Sequence, residues 1–125
     1  MRISVVSLTL ALFSQAHAAD SAHGAAIFSA TCGVCHMARG DASRADLATR
    51  IGPNLWGVVG RKAGTSKGYV YSYAMRSSGL TWTVDQLRRY IAEPQKTVPN
   101  VRMSFTGLKS PQDVEDVIAY LNTRR

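Results

Sequence analysis

Cys32-Gly33-Val34-Cys35-His36 is the stretch of this chain whose residue types and spacing fit covalent and metal chemistry at once. Two thiols three positions apart share one face of a helical turn. From there both can add to the two vinyl groups on one edge of a porphyrin, forming thioethers. The next residue then swings its imidazole under the ring to ligate the iron. C-x-x-C-H is the sequence signature of c-type haem attachment. The same thiols admit rival readings: a redox dithiol, half of a zinc site, or a structural disulfide. These are the only two cysteines, so a four-cysteine zinc site is excluded. A Cys2His2 site would need His23 or His17, and His17 falls in a segment expected to be removed. A thioredoxin-like pair would follow a strand in a βαβ unit, and no such pattern is present. A Cys32–Cys35 disulfide would close a very short, strained loop. Haem attachment is the reading these residues support best.

An iron held by His36 has a second face to fill. Pro94 to Lys109 is expected to be a long loop without regular structure, and such loops in small domains are often functional. It contains Met103, whose thioether is a soft, neutral ligand; Met/His ligation raises haem potential for electron transfer. Met37 adjoins His36 and cannot easily reach the opposite face. Met75 falls in a short expected helix, where packing is the commoner fate of a methionine. His23 lies on the same expected helix as the cysteines. Met103 is therefore the candidate sixth ligand.

These groups must be positioned by a small domain. Arg2, the apolar run from Ile3 to Phe13, and Ala16-His17-Ala18 read as a secretory leader, residues 1–18, cleaved after Ala18. The remaining residues, 19–125, form one domain, with no further apolar run of the roughly 20 residues that span a bilayer. Export suits haem c, which is attached outside the cytoplasm, and points to a bacterial periplasm. The fold class expected is all-α. A first helix capped by Asp20 or Ser21 carries Ile27 and Phe28 inward and delivers the cysteines at its end. Met37 to Arg50 is polar surface loop with room for a helical turn, and Ile51 to Gly64, with four glycines and a proline, is loop as well. Ser72 caps a short helix that Gly79 ends. Thr83-Val84-Asp85-Gln86 reads as a capping box, and Pro94 stops that helix. Ser110-Pro111 opens a last helix in which Val114, Val117, Ile118 and Leu121 share a face.

The ordered set of short motifs resembles class I cytochrome c, of the soluble bacterial type close to mitochondrial cytochrome c. The matches are Gly24 to Phe28, C-G-V-C-H, Gly52-Pro53-Asn54-Leu55, Gly60-Arg61-Lys62-Ala63-Gly64 and Tyr69-Val70-Tyr71-Ser72. They continue through Leu80-Thr81-Trp82, Leu87 to Tyr90, Pro94, Pro99 to Met103, Phe105, Gly107 and Ile118-Ala119-Tyr120-Leu121. The resemblance implies a small cytochrome c fold, helices and long loops wrapped around one covalently attached haem c with its iron. It implies that the Pro53 carbonyl accepts a hydrogen bond from His36. It implies that Tyr71 and Trp82 bond a haem propionate, that Arg61 neutralises it, and that Tyr90 lies beside the methionine sulfur. Gly24 would let the first helix cross the last near Tyr120. Two departures stand out. Val101 replaces a hydroxyl residue that usually reaches a propionate, and Met75 stands where a buried asparagine is common.

The full chain carries a formal charge of +7. Between Arg50 and Lys109 there are ten basic and two acidic residues, an excess of eight, while the flanking parts of the expected mature chain are slightly acidic. A positive ring around an exposed haem edge would steer the protein to the acidic docking surface of a redox partner. The resemblance implies a cytochrome bc complex, a terminal oxidase, a photosynthetic reaction centre or a dehydrogenase as such a partner. Export and the lack of a clustered basic tail argue against nucleic acid. Three function classes fit. One is a monomeric, diffusible one-electron carrier rather than an enzyme. Another is a dedicated electron-accepting subunit of a periplasmic dehydrogenase. The third is an open-site haem peroxidase or gas sensor, for which no His–Asp–Arg distal constellation is visible.

Overall fold

The computed structural model describes residues 17–125; the expected leader lies almost wholly outside them. Asp20 starts the first helix, α1 (Ser21–Ile27), by accepting from the backbone N–H groups of Ala22 and His23. The chain then widens into a π-helical turn, Phe28–Cys32, in which Gly33 N–H reaches back five residues to the Phe28 carbonyl. The first helix therefore does not run on to the cysteines as a regular α-helix. Such wide turns occur frequently at functional sites. Cys35 and His36 N–H both donate to the Cys32 carbonyl, at 3.0 and 2.9 Å, which keeps the motif in a helical turn.

α2 (Arg44–Ala48) is the helical turn for which the expected 37–50 loop left room, held by a reciprocal capping box between Ser43 and Asp46. α3 (Tyr73–Arg76) is capped by Ser72, as expected, but ends at Arg76; Gly79, at φ 70°, ends the turn beyond it. α4 (Val84–Ala92) starts with Thr83 accepting from Gln86 N–H. Pro94 ends α4 and also opens α5 (Pro94–Thr97), so the segment that carries Met103 is not wholly irregular. Proline fits there because the first helical N–H has no partner to lose. α6 (Pro111–Asn122) is capped by Ser110, with Asp113 in its first turn. Lys62 and Thr81 form an isolated antiparallel bridge, the only β pairing among the described residues. Around it, Trp82 N–H donates to Arg61 and Gly60 N–H to Trp82, which fixes the Trp82 backbone.

α1 crosses α6 at Gly24, where a Cβ would meet the Asp116 carbonyl oxygen at 1.9 Å. The contact lies one turn before Tyr120, whose ring instead packs on Phe28, centroids 5.1 Å apart. The expected apolar face of α6 is the one buried, with Val114, Val117, Ile118 and Leu121 all in the core beside Phe28 and Leu87. Asp116 is the exception. Its buried carboxylate accepts from Asp20 N–H, the Gln112 amide and His23 Nδ1. The two ends of the domain are thus tied by packing and by one saturated carboxylate. No described helix is long and apolar enough to cross a membrane.

Candidate functional site: a haem-sized cavity

One cavity of about 590 Å³ lies between these elements. Its lining includes every site residue expected from the sequence: Cys32, Cys35, His36, Pro53, Arg61, Tyr71, Trp82, Tyr90 and Met103. Four separate stretches supply them. The π turn and the turn after it bring the cysteines and His36, the following loop Pro53, the middle loops Arg61, Tyr71 and Trp82, and α4 with its trailing loop Tyr90 and Met103. The rest of the wall is largely apolar, with Phe28, Leu55, Leu87, Val117 and Leu121.

Cys32 and Cys35 are half-buried free thiols at this wall. Burial, with Cys35 adding to it, pushes the Cys32 thiol up to about 11. The His36 ring is fixed on two sides. Its Nδ1 bonds the Pro53 carbonyl at 2.8 Å. Gly52 presses on the ring so closely that a Cβ there would come within 2.4 Å of it. Burial lowers the imidazole's proton affinity, partly offset by the Pro53 carbonyl. A neutral ring that donates from Nδ1 leaves Nε2 as a free lone pair, the form in which histidine binds iron.

Met103 approaches from another part of the wall, its sulfur 3.8 Å from the Tyr90 hydroxyl. Burial raises the proton affinity of Tyr90, so the phenol stays protonated and donates. Its ring stacks against Trp82, centroids 4.8 Å apart and tilted by 48°. Met75 is buried and also lines the cavity, so two thioethers face the same space. Met37 is buried elsewhere and does not line it. Val101 is buried in the core at the cavity wall.

Arg61 is the most telling polar group. It is half-buried and donates only to the carbonyls of Trp56 and Asn54, at 2.8 and 3.1 Å. No carboxylate lies within ion-pair distance of it among the described residues. Burial accordingly lowers its pKa. A partly desolvated cation at a cavity wall without a counter-charge fits a ligand that brings its own carboxylates. Tyr71 stands nearby, its hydroxyl oxygen accepting from Ser66 N–H at 3.2 Å. Thiols, a free imidazole nitrogen, a thioether, an unpaired guanidinium and apolar walls together match a haem with its propionates.

Sequence reasoning gave no role to three further residues. Gly52 was visible only as part of a motif. Asn54 organises the loop, its side chain bonding the Arg39 carbonyl and its own carbonyl receiving Arg61. Gln95 reaches the Met103 segment from α5.

The family model described as cytochrome c matches residues 21–125. A cytochrome c2 from Rhodopila globiformis is 42% identical over 106 residues, covering 83% of this chain and 92% of its own. A cytochrome c2 from Rhodomicrobium vannielii is 40% identical over 125 residues, covering 99% and 95%. The solved structure of cytochrome cH from Methylobacterium extorquens superposes with a TM-score of 0.72 at 41% identity, over 83% of this chain and 98% of that one. The cavity and these likenesses agree that the chain belongs to the cytochrome c family, small all-α electron-transfer proteins that carry a covalently attached haem c.

Proposed function

We infer that this protein is a monomeric one-electron carrier of the bacterial periplasm, with a single haem c between His36 and Met103. Cys32 and Cys35 form the thioethers. Pro53 orients His36, Tyr90 supports the Met103 sulfur, and Arg61, Tyr71 and Trp82 would hold the propionates. The observation that carries this reading is the single cavity in which a His36 ring with a free Nε2 and the Met103 thioether both take part.

When bound, haem c supplies an iron that gains or loses one electron with no substrate bond made or broken. The protein's own part is to hold the ligands and exclude water. Burial keeps His36 neutral, and its ring stays oriented because Nδ1 is committed to Pro53. Met103 brings no charge, which favours the reduced state. Arg61 offsets the propionates from within the wall. Apolar Val34 and Ile51, 66% and 72% exposed, flank this region: Val34 lies between the cysteines, and Ile51 lines the cavity. Basic residues are concentrated between Arg50 and Lys109, the part of the chain that holds Ile51. A partner with an acidic rim around a small apolar contact complements that face. A cytochrome bc complex, a terminal oxidase, a photosynthetic reaction centre or a dehydrogenase presents such a partner class. The leader-like residues 1–18 and the requirement for haem attachment outside the cytoplasm support the periplasm.

Two measurements test the reading. Acid–acetone should leave the colour with the protein; extractable haem refutes thioether attachment. Met103→Ala should abolish the weak near-infrared band of methionine-ligated ferric haem, lower the potential and admit cyanide, while Met75→Leu keeps the band. The reverse pattern would assign the ligand to Met75.

A further inference from the structure

The segment that carries Met103 is anchored at its ends and almost free in its middle. At the start, Val98 N–H donates to Pro94 and Val101 N–H to Val98, closing a turn with Pro99 and Asn100 at its corner. Asn100 there takes φ 64°, a conformation asparagine tolerates well. At the far end, Leu108 N–H donates to Ile91, and Gly107 lies against Ala92. Between them, among the described residues, positions 102–107 make no backbone–backbone hydrogen bond. Met103's own backbone is held by one group, the side-chain amide of Gln95. That nitrogen donates to the Val101 carbonyl at 3.1 Å and to the Met103 carbonyl at 3.4 Å. Both partners are acceptors, so the amide must present its NH2. Gln95 does not line the cavity, so it acts on the site only through these two carbonyls.

We propose that Gln95 is the latch of the Met103 segment: by bridging the Val101 and Met103 carbonyls it sets how often the thioether leaves the iron, and so how readily an outside ligand enters. The inference rests on the assignment of Met103 as ligand. An outward swing of the Met103 backbone, which takes the sulfur out of reach, breaks the bond that Gln95 makes to the Met103 carbonyl. Tyr90 touches the sulfur but does not restrain the backbone. Arg102 ties the segment to the Val70 carbonyl and Lys109 reaches the Thr106 carbonyl, both through side chains, but neither holds the Met103 backbone itself.

Imidazole added to the oxidised holoprotein reads the opening rate, since its binding must wait for Met103 to leave. Gln95→Leu keeps the bulk and removes the donor. It should retain the near-infrared band at rest and bind imidazole about tenfold faster, the scale expected for losing one to two modest hydrogen bonds. Gln95→Glu, which sets a carboxylate against two carbonyls, should be faster still. Ser110→Ala removes the cap of α6 and lowers overall stability comparably. It should leave the imidazole rate unchanged, which a merely structural role for Gln95 does not predict. A Gln95→Leu rate within twofold of the unsubstituted protein, or equal acceleration by Ser110→Ala, overturns the latch alone when the band depends on Met103. A band that survives Met103→Ala overturns the ligand assignment and the latch together.

Discussion

Gly24→Ala should be among the most damaging single-methyl additions this domain can receive. The added Cβ would lie 1.9 Å from the Asp116 carbonyl oxygen and 2.4 Å from its carbon. Ordinary contact begins near 3.4 Å, so the two helices must separate by about 1.5 Å at the crossing. Neither obstacle is a side chain that could turn aside. Alanine gains about 1 kcal/mol of helix propensity over glycine. Against this, a gap of even 0.5–1 Å forfeits about a quarter to a half of each dispersion contact. The Phe28–Tyr120 pair and the buried face around Val117 share that loss. Overpacking of this kind costs about 1–3 kcal/mol, and more where backbone meets backbone. A net loss of about 3 kcal/mol lowers Tm by about 10–20 °C in a domain of this size. Thermal unfolding of the holoprotein, followed by far-UV circular dichroism, measures it. Ala26→Gly, on the exposed side of α1, supplies the propensity effect alone and should cost about 1 kcal/mol. A Gly24→Ala protein melting within about 3 °C of the parent would refute the close crossing.

Three further outcomes are expected. Gly52→Ala should push its Cβ into the His36 ring and weaken the Nδ1 bond to Pro53, shifting the visible spectrum and the potential; a spectrum and potential identical to the parent's would refute that packing. Asp116 is pulled down to about 2, chiefly by Asp20 N–H and His23, and His23 is raised, chiefly by its bond to Asp116. The Asp116 contribution is complete above about pH 4 and fades as pH falls toward 2, whereas that of His23 is complete below about 6.5 and fades above it. Asp116→Asn should therefore lower Tm most between pH 4 and 6.5, and an equal loss at pH 2 would contradict the linkage. Oxidation by the physiological acceptor should slow as ionic strength rises, and Lys96→Glu should flatten that dependence. Lys96 meets only Glu93 in an exposed pair, so its loss leaves the fold intact. Arg125→Glu, beyond the end of α6, should matter less, and an equal effect would remove the steering argument.

What the chain reveals in one dimension is chemistry that acts locally. The caps at Asp20, Ser72, Thr83 and Ser110 were legible because each hydroxyl or carboxylate serves an N–H two or three residues away. The inward face of α6 was legible because burial repeats with the helix period. The π turn was not, since an i to i+5 bond leaves no residue signature. α2 was foreseen only as a helical turn somewhere in a polar loop, because Leu47 is the one large apolar residue within it and sets no helical period, and α5 was hidden because a proline that ends one helix can begin the next. The ligand candidates could be named from residue type, and the structure brings them to one cavity. The roles of Gly52 and Gln95 depend on what distant backbone lies opposite them, which no local pattern encodes.

The arrangement also predicts which side of the site yields first. On the His36 side, restraints accumulate on one ring: the adjoining cysteines, the Pro53 carbonyl and the pressure of Gly52. His36 N–H is bonded as well, and Gly52 N–H returns to Cys35. Moving that imidazole means dismantling the turn that sets the cysteines. On the Met103 side, the segment hangs from α4 at Ile91 and Ala92, and in its middle it is held only by exposed side chains, Gln95 on Met103 itself, Arg102 on Val70 and Lys109 on Thr106. Thermal or chemical stress that spares the α1–α6 crossing should therefore detach the thioether while the histidine remains bound. Segments held by few buried contacts and solvent-exposed hydrogen bonds open at low free-energy cost. The near-infrared band should accordingly vanish at lower denaturant than helical circular dichroism, and Gln95→Leu should widen that interval while Gly24→Ala narrows it. Coincident transitions in all three proteins would show that the domain opens only as a whole.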